Sequence, residues 1–103
     1  MDCFELKRNK PVRCKDGFIM SVQAGSTQYS HPREDNAERY IEVEIGFPNQ
    51  KEDLLMEYAE DSAEPTETVY AYVPASLVTL VIAKHGGMIE GELPAGIPCL
   101  RAQ

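Results

Sequence analysis

The sequence predicts an α+β protein: an antiparallel sheet of about four or five strands, with one helix over about residues 74–85 packed on one face. Three observations predict it. Apolar and polar side chains alternate over residues 18–24 and 39–47, the period of strands with one dry face. Asp16-Gly17 joins two strand-like runs and tolerates the left-handed backbone of a tight hairpin turn. Between Pro74 and Gly86-Gly87 the apolar spacing lengthens to that of a helix.

In chain order, residues 3–8 read as a first short strand, ending before Asn9-Lys10-Pro11. Residues 12–24 form a hairpin, with Phe18, Met20 and Val22 on one face. Residues 25–38 hold no apolar run and read as a long polar loop, of the length that compact domains keep for function or leave unstructured. Over residues 39–47, Ile41, Val43, Ile45 and Phe47 are expected on the dry face, and Tyr40, Glu42 and Glu44 on the wet one. Residues 54–59 suit either a strand or a short helix capped by Asp53, and a strand pairing with Thr68–Val73 is favoured. In that partner, Val69, Ala71 and Val73 share one face, and Tyr70 and Tyr72 the other. Leu77, Val78, Val81 and Ile82 form the helix arc that packs on the sheet, leaving Leu80 outside as a possible dimer contact. The Gly- and Pro-rich tail allows one edge strand at Met88–Glu90.

A chain of 103 residues suits a single domain, 1–103. The formal charge is −7 and is uneven: residues 1–15 sum to +3 and residues 34–67 to −10. That balance disfavours direct nucleic-acid binding and anionic membrane surfaces, and suits a basic protein partner. No apolar run is long enough to span a membrane. The three cysteines, widely spaced behind an N-terminus without a signal-peptide pattern, place the protein in the cytoplasm with reduced thiols.

No catalytic residue, metal ligand or cofactor is assigned. Lys84-His85-Gly86-Gly87 reads first as helix termination, His85 and Lys84 facing the negative end of the helix dipole; a general base or metal ligand at His85 is the alternative. His31, in Ser30-His31-Pro32-Arg33, lacks the spacing to Cys3 or Cys14 that a nucleophile pair or a zinc site needs. Glu42 and Glu44 project from one strand face about 6.5–7 Å apart. Tyr40, Tyr58, Tyr70 and Tyr72 are expected to share that outer face in part, which would suit a protein interface. The strip Lys7-Arg8-Asn9-Lys10, with Arg13 and Lys15, is expected to complement the acidic segment within the fold or across a homo-oligomer.

Three runs together, Asp16 to Ala24, Tyr40 to Pro48 and Thr68 to Pro74 with Lys84-His85-Gly86-Gly87, resemble a group of small uncharacterised proteins from bacteriophage genomes. The resemblance covers residues 16–87 and implies context alone: an accessory protein made inside a bacterial cell that binds a host protein. The leading expectation is therefore a non-enzymatic interaction protein whose surface combines Tyr40, Glu42 and Glu44 with the 25–38 loop. The alternative is a small-ligand binder, at an oligomer interface, using His31, Arg33 and the basic strip.

Overall fold

The computed structural model describes residues 8–103, so most of the strand expected over 3–8, with Cys3 and Lys7, lies outside the described residues. Asp16-Gly17 turns the chain between β1 (Val12–Cys14) and β2 (Ile19–Gln23), setting Val12 opposite Met20. The remaining elements are β3 (Glu42–Gly46), a 3₁₀ helix (Asp53–Tyr58), β4 (Val69–Pro74), α1 (Ala75–Lys84) and β5 (Met88–Glu90). The strands form one five-stranded antiparallel sheet in the order β4-β3-β2-β1-β5.

The alternation in β1, β2 and β3 buries Val12, Cys14, Phe18, Met20, Val22, Val43 and Ile45 in one cluster with Val78, Val81 and Ile82 of α1. Burying those three helix side chains is worth about 5–9 kcal/mol of transfer free energy, before chain entropy is subtracted. Leu80 stays exposed, as its place on the helical wheel requires. The helix ends in a Schellman turn: the Gly87 N–H donates to Ile82 O and the Gly86 N–H to Ala83 O, both glycines standing at φ near +90°. β5 pairs with β1, and its outer side is met by the tail, where the Met88 N–H donates to Leu100 O and the Ala102 N–H to Met88 O. No helix among the described residues is long and apolar enough to cross a membrane.

Four expectations are corrected. Residues 54–59 form the 3₁₀ helix rather than a strand. Leu, Met and Glu favour helix, and Glu52, not Asp53, caps it by accepting the Leu54 N–H; only Ala59 bridges to Tyr70. In β4, Tyr70 and Val73 both point inward and are fully buried, while Tyr72 points out. The cause is a β-bulge: Val43 pairs with Val73 and Ile45 with Tyr70, so two steps along β3 face three along β4, with Tyr72 at φ +53°. The part of the 39–47 run that pairs as a strand is β3 alone, so alternation does not govern its flanks. Ile41 and Phe47 are exposed, Phe47 at φ +47°, and Tyr40 turns inward to 5 % exposure.

The Tyr40 hydroxyl donates to Glu34 O (2.7 Å) and accepts the Ala37 N–H, so this ring anchors the 25–38 loop from below. Asp35 accepts the Ser26 N–H and hydroxyl, and the Ser30 hydroxyl bonds Gly25. Those bonds explain how a loop with so little apolar content holds one conformation.

Candidate functional site

The β1–β2 turn, the 3₁₀ helix and the end of α1 meet at His85, which is buried. Its Nδ1 lies 2.6 Å from Asp16 Oδ2 and its Nε2 lies 2.6 Å from Glu52 Oε1. The Phe18 ring stacks on the imidazole at 4.1 Å and 10°. Glu52, 2 % exposed, also accepts from Lys84 Nζ (2.7 Å) and from the Leu54 N–H through Oε2. Burial alone would push the Glu52 carboxyl up; Lys84, the Leu54 N–H and His85 outweigh it and hold the group below its ordinary value. Asp16 is likewise held low, first by the Phe18 N–H and then by His85.

This arrangement is a clamp rather than a catalytic pair. A carboxylate faces each nitrogen of His85 at hydrogen-bond distance, so both are engaged within the fold. A general base or metal ligand needs one nitrogen free to meet a substrate or an ion. The three groups hold the hairpin turn, the 3₁₀ helix and α1 together, and this adds to the helix-terminating role of His85. Cys14 is buried, and burial together with the Asp16 charge pushes its thiol up to about 11, so it carries little thiolate at neutral pH. No group of three or more His, Cys, Asp or Glu side chains among the described residues could hold a metal ion.

The outer side of β3 and β4 gathers most of the residues singled out in the sequence. The 25–38 loop crosses it: the Tyr29 N–H donates to Glu44 Oε1, the Tyr72 N–H to Tyr29 O, and His31 pairs through its backbone with Glu42. Tyr29 and Tyr72 rings lie 5.9 Å apart, and the Arg33 guanidinium stands 5.3 Å from the Tyr29 ring centroid. Thus His31, Arg33, Glu42 and Glu44 come together. Tyr40 does not join them, because its ring serves the core beneath the loop. Tyr29, unremarked in the sequence because it sits in a polar loop without periodicity, takes the place assigned to Tyr40.

A second feature lies at the far end of the sheet. A cleft of about 720 Å³ is lined by Lys10, Arg13, Ile19, Ile89, Glu90 and Arg101 among others. It touches none of His31, His85, Cys14 or Cys99. Lys10 and Arg13 of the basic strip and the His31–Arg33 loop, expected to share a ligand site, therefore line different features. Compared with known proteins, the chain matches no protein-family model, no curated protein and no solved structure.

Proposed function

We propose that this chain is a non-enzymatic interaction protein that binds a basic protein through the outer face of β3 and β4 and the loop across it. The bacteriophage-type resemblance makes that partner a host protein in the bacterial cytoplasm. The observation that carries the reading is Tyr72. A bulky side chain in the left-handed region costs about 1–2 kcal/mol. The bulge needs that backbone to bring Tyr70 and Val73 inward, but Gly or Asn would adopt it at lower cost, so folding alone does not account for a tyrosine there. Paired with Tyr29, it forms an aromatic centre, the kind of anchor that protein interfaces favour. The loop across this face and the start of β3 carry Glu34, Asp35, Glu38, Glu42 and Glu44 against Arg33 and Arg39, a balance that suits a basic surface and speeds encounter with it.

The test is capture of host proteins from a bacterial lysate by the immobilised chain. A basic protein should be retained by the wild type at low salt and lost with Tyr72→Gly or with Tyr29→Ala. It should stay bound to Glu60→Gln/Glu64→Gln, whose acids lie on a different exposed segment. Tyr72→Gly should leave stability within about 1 kcal/mol of wild type, because relief of strain offsets the extra chain entropy of glycine. Thermal melts check this, so a loss of binding is not a loss of fold. Retention that both tyrosine variants share with wild type would contradict the reading.

A further inference from the structure

We infer that the cleft between β1, β5 and the tail is a binding site for a small organic anion with an apolar side, independent of the outer-face reading above. The cleft is built by the backbone. Gly91, at φ +121°, brings the chain so close to β1 that a Cβ there would lie 2.5 Å from Pro11 O and 2.6 Å from Val12 Cα. The turn carries Glu92 back over Lys10, whose N–H donates to Glu92 Oε1 (2.8 Å) while the Glu92 N–H donates to Lys10 O. Arg101 then runs beside Met88 and adds a wall.

The charges divide unequally. Both carboxylates of the cleft are engaged: Glu92 accepts that backbone N–H, and Glu90 pairs with Arg13 Nε at 3.0 Å. The Lys10 ammonium and the Arg101 guanidinium have no carboxylate within ion-pair distance among the described residues. Two cations without a carboxylate partner among the described residues therefore line one cleft of a protein whose net charge is −7. With Arg13 they give the cleft three cations against the two carboxylates of Glu90 and Glu92, a positive balance that an anion placed there offsets. The Arg13–Glu90 pair is half-exposed, so it is weak enough to open and give a third cation to a ligand. Ile19 and Ile89 supply an apolar wall beside the cations, and Ile89 keeps 52 % of its surface exposed. Convergent cations beside an apolar wall, in a space within the ordinary range of ligand sites, select an anionic head with an apolar body.

The test is a calorimetric titration of the full chain at low salt with four probes: phenyl phosphate, benzoate, inorganic phosphate and phenol. Phenyl phosphate and benzoate distinguish a phosphate head from a carboxylate head. At least one of them should bind saturably, and more tightly than both inorganic phosphate and phenol, which each carry half of the recognition. Lys10→Ala and Arg101→Ala should each weaken that binding about tenfold, the scale of one lost charge-assisted contact. Both side chains are exposed, so melting temperatures should hold and exclude misfolding as the cause. Two results would overturn the inference. One is no saturable binding of either organic anion by wild type. The other is binding that Lys10→Ala and Arg101→Ala both leave intact, which would place the anion elsewhere.

Discussion

Replacing His85 by alanine should destabilise the fold by about 3–5 kcal/mol, the scale of truncating a large buried side chain and leaving a buried carboxylate oxygen without its donor. Glu52 would keep its burial and its Lys84 contact but lose the donor at Oε1, and Phe18 would lose a parallel stacking partner. Against the 5–15 kcal/mol that holds a typical domain together, that is a large fraction. Urea unfolding of wild type and His85→Ala measures it directly. A control separates the clamp from simple loss of volume. Glu52→Gln/His85→Ala should cost less than the two single changes added, because no buried carboxylate is then left without its donor, and Lys84 and Asp16, which each lose a contact, are half-exposed. The coupling should fall within about 0.5–3 kcal/mol. Additive costs would mean that the 2.6 Å contacts do not act as a unit.

The second large effect is on acid stability. Both Asp16 and Glu52 are held below their ordinary values in the folded protein. A carboxyl whose folded value is depressed binds its proton more readily unfolded, so protonation favours unfolding. The stabilisation is complete above about pH 5, where both states are ionised. It fades as pH falls through about 4.5 and then through the depressed folded values. Stability measured between about pH 7 and pH 3 should therefore fall below about pH 4.5 in wild type. Glu52→Gln should flatten that profile, leaving the shares of Asp16 and of Asp35, which the Ser26 N–H and hydroxyl hold low. An unchanged slope in Glu52→Gln would show that other carboxylates dominate.

The sheet and helix were legible because β2, β3 and α1 carry their burial in short-range patterns. Val43 and Ile45 alternate with Glu42 and Glu44, and Val78, Val81 and Ile82 share one helical arc. What escaped depends on contacts between distant residues. Nothing near Tyr72 in sequence announces the extra residue of the bulge, since Val69 to Val73 alternates cleanly as written. The bulge exists because Tyr70 and Val73 both gain more by burial than strict alternation allows. Tyr40 lies two residues before the ladder, where its hydroxyl meets Glu34 and Ala37 instead of solvent. The clamp was hidden for a similar reason. His85 stands 69 residues from Asp16 and 33 from Glu52, and local spacing cannot join them. The one local signal was Lys84 beside His85 at a helix end, which pointed to the helix dipole and missed the carboxylates. Of the surface expected for binding, His31, Arg33, Glu42 and Glu44 do converge, because the loop folds back onto β3, the strand it leads into.

The most direct test of the interaction reading is a tyrosine footprint of the captured complex. The reactivity of each tyrosine towards iodination would be compared in the free chain and in the complex eluted from lysate. Tyr29 and Tyr72 are exposed in the free chain and should react there, then become protected on binding, while buried Tyr40 and Tyr70 stay unreactive in both. If Tyr29 and Tyr72 react as fast in the complex as in the free chain, the partner binds elsewhere and the outer face of β3 and β4 is not the site.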